Sequence, residues 1–172
     1  YYLRTKDNKA VLISNKNFTA ASKQADQNIS FIYSQAHDQL PTTSDWGNLP
    51  VKFDGKPARL ITMEDLLTVT NSSSSSDITP IGSLKGYEFL FESSNFSGIG
   101  ERSTQWLEEI SSTKRYRYRN DQYHLAQVES GKENTSKNPV RPVIEVPLDL
   151  IEDAYIVKFN ANGGTPDLVH RS

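Results

Sequence analysis

Residues 140–147, Val-Arg-Pro-Val-Ile-Glu-Val-Pro, constrain the fold more than any other stretch of this chain. Val140, Val143, Ile144 and Val146 make a β-branched run that fits a half-buried pleated surface. Pro142 and Pro147 carry no backbone N–H, so the run belongs at a sheet edge or at a bend. Arg141 cannot be buried without a partner, so a carboxylate or a backbone carbonyl is expected against its guanidinium. The expectation is a strand over residues 140–146 that closes the fold.

Aromatic residues make a real core possible even though aliphatics are few. Only 35% of the 172 residues are apolar, but 8 Tyr, 7 Phe and 2 Trp are among them. Large aromatic areas compensate for few aliphatics, and the length suits about one domain. A net charge of −2 gives no global basic field, so nucleic acid is not an expected partner. The absence of cysteine excludes a disulfide scaffold, a thiol nucleophile and a Cys-ligated metal. No run approaches the roughly 18 apolar residues of a membrane span, so no direct membrane insertion is expected in this segment. The chain opens on Tyr1 with no visible signal peptide, and is expected to be cut from a longer protein.

Along the chain, residues 1–4 and 10–14 flank an Asp7-Asn8 turn and read as a β-hairpin. Phe18, Ala21, Ala25, Ile29, Ile32, Ala36 and Leu40 recur at three- and four-residue steps, which predicts an amphipathic helix over residues 18–40, ended by Pro41. Residues 41–57 read as a loop with a strand at 49–53 before the Asp54-Gly55 turn. Residues 58–61 lead into a second helix, where Thr62 and Asp65 form a capping box and Met63, Leu66, Leu67 and Val69 supply the buried face. The serine run 72–76 is a loop. Tyr87, Phe89 and Phe91 alternate as a strand would, with a short helix as the alternative because Leu90 interrupts them. Residues 114–128 read as a hairpin turning at Asn120-Asp121, and 155–159 as a last strand. The expected organisation is one domain over residues 1–150, with a hairpin and helix in 1–40 and a core in 45–150. A C-terminal strand and linker follow over 151–172.

Signals for chemistry are few. His37, His124 and His170 have no metal-ligand spacing, and there is no nucleophile elbow, phosphate loop or dinucleotide fingerprint. The acid pairs Glu64/Asp65, Glu108/Glu109 and Glu152/Asp153 are each adjacent in sequence, and the first is accounted for by helix capping. No catalytic residue, metal or cofactor is implied. The most informative patch is Lys114-Arg115-Tyr116-Arg117-Tyr118-Arg119. In a strand the arginines share one face at a spacing of about 6.6 Å, which suits successive anionic groups on a polyanion. Arg102, Lys132 and Lys137 would enlarge that patch. The plainer alternative is that these arginines pair with Glu108, Glu109 and Glu129. Five glycosylation sequons, at Asn17, Asn28, Asn71, Asn95 and Asn134, are near chance in a chain this rich in Ser and Asn. An intramolecular isopeptide bond is open, because the sequence identifies no Lys, Asn and Glu triad.

Three ordered blocks carry a resemblance: Ala58-Arg-Leu-Ile-Thr-Met-Glu-Asp-Leu66, then Gln105-Trp-Leu107 with the aromatic strands after it, then Val140-Arg-Pro-Val-Ile-Glu-Val146. Their order and spacing, across roughly residues 45–150, are similar to those of bacterial C-type-lectin-like surface modules. These include the C-terminal domain of the legionella collagen-like adhesin and related Firmicute surface domains. The resemblance implies an α+β, C-type-lectin-like fold with two helices packed on short antiparallel sheets and long loops. Leu60, Leu66, Trp106 and Arg141 would be its structural core. Ile61 stands where those modules often have Pro, and Trp106-Leu-Glu-Glu replaces a Trp-x-Ser turn. The cysteines of the related formylglycine-generating enzymes are missing, so that activity is not implied. Residues 156–165 resemble the opening strand of internalin-type B-repeats of Gram-positive surface proteins. Both resemblances imply an extracellular place on a bacterial surface. They imply adhesion to a glycan, or to a host or neighbour-cell surface protein; no ligand residue is carried over from them, and the candidates Lys114, Arg115, Arg117 and Arg119, with a polyanion as ligand, come from the strand pattern alone. A structural spacer or pilin-like component built on the 18–40 helix is the second reading. A glycan-acting enzyme is the third, and would need a cleft with two convergent carboxyls.

Overall fold

The computed structural model describes residues 1–20, 29–73, 88–90, 104–108, 114–117, 127–130, 137–151, 156–158 and 167–169. Strands β1 (Tyr2–Lys6) and β2 (Lys9–Ile13) form the expected antiparallel hairpin. Asp7 and Asn8 both take positive φ, 48° and 58°, the backbone of a type I′ turn, whose twist matches that of the strands it joins.

A later strand, Val143–Pro147, pairs antiparallel with β2, with Ile13 opposite Val143 and Val11 opposite Glu145. It is the sixth strand in chain order, and the sheet runs β1-β2-β6. The strand begins at Val143 and not at Val140. Before it, the chain bonds through carbonyls to the segment after β2: Ser14 N–H donates to Pro142 O at 2.9 Å and Phe18 N–H to Val140 O at 2.8 Å. The far side of β6 meets a single bridge, in which the N–H and C=O of Arg59 bond to those of Val143 at 2.9 and 2.8 Å. Residues 58–61 are therefore extended, between the hairpin sheet and the next element. Ile61 bridges Leu107 in parallel, with Glu108 N–H donating to Ile61 O at 2.9 Å.

Helix α3 (Met63–Val69) starts at the expected capping box. Thr62 Oγ1 accepts from Asp65 N–H, and Asp65 Oδ2 accepts from Thr62 N–H, both at 3.0 Å. Its buried face, Leu66 and Val69, joins Leu3, Val11, Ile13, Ile61, Leu107 and Val143 in one apolar cluster. A second cluster holds Tyr33, Ala36, Leu40, Ala58, Leu60, Trp106 and Val140. The 58–61 segment feeds both, Leu60 into one and Ile61 into the other.

The helix expected over residues 18–40 does not form as one element. Among the described residues of that span, helix is confined to α1 (Tyr33–Ala36), extended by a 3-10 turn at His37–Gln39. Residues 18–20 and 29–32 are not helical, and 21–28 lie outside the described residues. The backbone is committed elsewhere: Phe31 exchanges hydrogen bonds with Asn138 at 2.9 and 3.0 Å. Phe18 packs edge-on against Trp46, at 5.6 Å between ring centroids. The helical spacing of apolar residues thus arose from residues buried by different partners. The expected loop 41–57 contains a short capped helix, α2 (Thr43–Trp46). The strand expected at 49–53 is reduced to a bridge between Phe53 and Lys56 around the Asp54-Gly55 turn. Glu88–Leu90 is a 3-10 turn, the short-helix alternative to a strand there.

A second sheet has the order β3-β4-β5, from β3 (Thr104–Trp106), β4 (Lys114–Arg117) and β5 (Gln127–Ser130). The turn expected at Asn120-Asp121 lies outside the described residues. Strands β7 (Ile156–Lys158) and β8 (Asp167–Val169) pair with each other.

Candidate functional site

The first and third sequence blocks meet at an ionic joint centred on Arg59, and the second joins the first at the Ile61–Leu107 bridge. Arg59 is only 6% exposed. Its Nη1 donates to Asp65 Oδ2 at 2.6 Å and to Leu60 O at 2.9 Å. Nε and Nη2 both reach Glu145 Oε1, at 3.2 and 2.9 Å. The Phe53 ring lies against the same guanidinium, 5.5 Å from its centre. Arg4, from β1, closes the other side: its Nε donates to Asp65 Oδ1 at 2.9 Å and its Nη1 to Glu64 Oε1 at 3.1 Å. Lys6 also pairs with Glu64. Arg4, Lys6 and Arg59 thus balance Glu64, Asp65 and Glu145.

Charge in so enclosed a place is tolerated only when paired and hydrogen-bonded. Burial alone would raise the Asp65 pKa, but Arg59 and the Thr62 cap bring it below its usual 3.8. The hydrogen bonds of Arg4 and Lys6 hold the Glu64 carboxyl down at about 2. Both acids are therefore ionised at neutral pH, the reverse of the raised pKa that a catalytic acid needs. Beside them, α3 lines an open depression of about 700 Å³, with Met63 and Leu67 as its apolar part and Asn71, Ser72 and Ser73 at its polar end. Among the described residues that line it, Glu64 is the one carboxylate, so these residues do not bring together the two convergent carboxyls of a glycosidase.

The four expected core residues are all enclosed: Leu60 and Leu66 at 0% exposure, Trp106 and Arg141 at 1%. Trp106 donates Nε1–H to Phe31 O at 2.8 Å and meets the Tyr33 ring edge-on at 5.3 Å. Arg141 donates Nε–H to Ser14 O at 2.9 Å and Nη1–H to Phe89 O at 3.1 Å. Backbone carbonyls, one of the two expected kinds of partner, meet it there.

The basic run lies on β4, the middle strand of its sheet. Arg115 stands opposite Trp106 on one side and Glu129 on the other, Arg117 opposite Thr104 and Gln127, and Lys114 opposite Ser130. Arg119, Arg102 and Lys132 lie outside the described residues, as do Glu109, His124 and His170. Lys137 is exposed. Glu108, considered as a counter-charge for the strand arginines, has other partners: His37 Nε2 at 2.9 Å and Leu60 N–H at 2.8 Å. Sequence reasoning missed this pair, because no local signal links residues 71 apart.

Among the described residues, Lys52 Nζ is enclosed with no hydrogen-bond partner. Asn17 is 1% exposed, which closes that sequon to a glycan in the folded chain. Among the described residues no group of three or more His, Cys, Asp or Glu is placed to hold a metal, and no helix is long and apolar enough to cross a membrane. No family model, no curated protein and no solved structure matches the chain.

Proposed function

We propose that the chain is a non-catalytic ligand-binding module of a bacterial surface protein, of the C-type-lectin-like kind that its three blocks resemble. The observation that carries this reading is the meeting of those blocks. Arg59 bonds Val143, Ile61 bridges Leu107, and the Arg59 side chain ties Asp65 to Glu145. Short stretches far apart in sequence thus act as one structural unit, which supports the resemblance beyond the letters that suggested it. The ionised state of Asp65 and Glu64 supports a binding role over acid–base catalysis.

The ligand is an anionic glycan, taken up by Lys114, Arg115, Arg117 and Arg119. The β4 run is laid directly on the second block, since Arg115 is the register partner of the enclosed Trp106. Arg115 also stands opposite Glu129 in register.

The test is titration of the protein with a sulfated glycosaminoglycan and its desulfated form over a range of salt. Binding of the sulfated form alone, weakening steeply with salt and lost in Arg117→Ala/Arg119→Ala, is expected. Binding that is insensitive to salt, or that survives the double substitution, refutes the polyanion site. Binding of neutral glycans only would move the ligand to another surface of the module.

A further inference from the structure

We propose that His37 and Glu108 form a pH-sensitive latch, closed toward acid and loosened toward alkali, that holds the helical turn of residues 33–39 against the core.

Glu108 is fixed at the core end. Its N–H bonds Ile61 O at 2.9 Å, its carbonyl accepts the Tyr33 hydroxyl at 3.2 Å, and its carboxylate accepts Leu60 N–H through Oε2. The remaining oxygen, Oε1, meets His37 Nε2 at 2.9 Å. His37 is the titrating end. It sits at the start of a single 3-10 turn, with its ring edge-on to Tyr33 at 5.7 Å. The other charged groups that act on it are Asp38 on its own turn and Lys56 from the neighbouring Phe53–Lys56 turn, whose ammonium donates to His37 O.

Protonated, the imidazole brings a full charge to the carboxylate. Neutral, it can keep the bond only in the tautomer with hydrogen on Nε2, and without the charge. The hydrogen bond to Glu108 raises the His37 pKa above 6.5; burial and Lys56 oppose this, and Asp38 adds to it. A raised histidine pKa gives stability that is complete below 6.5 and lost as pH climbs through the folded value. The side chains are 39% and 29% exposed, so solvent screens the pair. The change in the local opening equilibrium is therefore roughly two- to fivefold and not larger.

The experiment is an NMR titration of the His37 ring nitrogens, with amide exchange followed at Gln35 and Leu40, whose N–H groups close the turn on Ile32 O and His37 O. In the native chain the midpoint is expected above 6.5, and at or below it in Glu108→Gln, where only Asp38 is left to oppose burial and Lys56. Protection of the two amides, corrected for base catalysis of exchange itself, is expected to fall about two- to fivefold across that titration. It is expected to stay flat in His37→Gln, which keeps a donor toward Glu108 but cannot titrate. A native midpoint at or below 6.5, or the same loss of protection in His37→Gln, overturns the latch. If Glu108→Gln does not fold, the native and His37→Gln chains alone decide the question.

Discussion

Asp65 is the side chain whose loss should cost most for its size. It is fully enclosed and accepts from both Arg4 and Arg59, whose side chains are only 10% and 7% exposed. Asp65→Ala leaves two cations in a place that water reaches poorly. It also removes the acceptor for Thr62 N–H at the start of α3. Breaking a buried pair from one side costs about 3–5 kcal/mol, and loss of a cap about 1 kcal/mol. These overlap, because one carboxylate serves both, so a total of about 4 kcal/mol is expected. Against a typical stability of about 5–15 kcal/mol this is a large share. With a urea slope near 2 kcal/mol/M, the unfolding midpoint should fall by about 2 M. Glu145→Gln is the comparison. Glu145, 11% exposed, receives only Arg59 among the described residues, and glutamine keeps an acceptor oxygen. Its cost should be about 1 kcal/mol, or about 0.5 M in midpoint. The assay is urea unfolding followed by Trp fluorescence, with an enclosed Trp106 as reporter. A third variant, Arg59→Met/Asp65→Leu/Glu145→Leu, removes Arg59 with both of its carboxylates, leaves Arg4 on Glu64, and should recover part of the Asp65→Ala loss. Equal losses for Asp65→Ala and Glu145→Gln, or no recovery in the triple variant, would refute the idea that uncompensated charge sets the cost.

Two further outcomes are expected. The pKa of Asp65 is lowered on folding, so its contribution is complete above the unfolded value of 3.8 and is lost as pH falls through the folded one; unfolding free energies measured from neutrality down through 3.8 should decline, and Asp65→Asn should remove that part of the acid limb. Asn8 holds φ at 58°, so Asn8→Ala should cost about 1 kcal/mol while Asn8→Gly stays within a few tenths, read as shifts of thermal midpoint; equal effects would mean that the turn adapts its backbone.

The features legible in the sequence share one property, which is that their cause is local. Asp7-Asn8 dictates its turn because the two residues tolerate positive φ. Thr62 and Asp65 dictate a helix start because their side chains reach each other's backbone. Trp106 signals burial by its size, while Arg141 is placed in the core only by the resemblance; backbone carbonyls meet both. The helix read over residues 18–40 failed for the opposite reason. A period of three to four residues signals one face only when a single surface covers it. Here Phe18 is bound at Val140 O and packed on Trp46, while Phe31 is bridged to Asn138. The ionic joint was half legible: Arg59 and Asp65 lie 6 residues apart, but Glu145 lies 86 away from Arg59. The same distance in sequence hid His37 and Glu108 from each other.

The placement of prolines in the last block explains how an unpromising strand becomes the one that completes the sheet. Pro142 lies just before β6 and offers its carbonyl to Ser14 N–H. Pro147 is the last residue of the strand, opposite Lys9. Neither is asked for an N–H inside the ladder, so the β-branched residues between them pair with β2 undisturbed. Without them, the β1-β2 hairpin would be a two-stranded unit, which is marginal by itself in water. Ala10, Val11 and Ile13, all enclosed here, would then lack their cover from Val143 and its neighbours. Arg59 would lose its backbone bridge and Glu145 together, leaving a cation enclosed with less compensation. The hairpin is therefore encoded at the start of the chain but stabilised only from residue 143 onward. Such long-range pairing closes slowly, because the loop entropy comes before the contacts that offset it. A chain ending at residue 139 should fail to protect the β2 amides from exchange. Protection equal to that of the intact chain would show that the hairpin and α3 suffice as a folding unit without the closing strand.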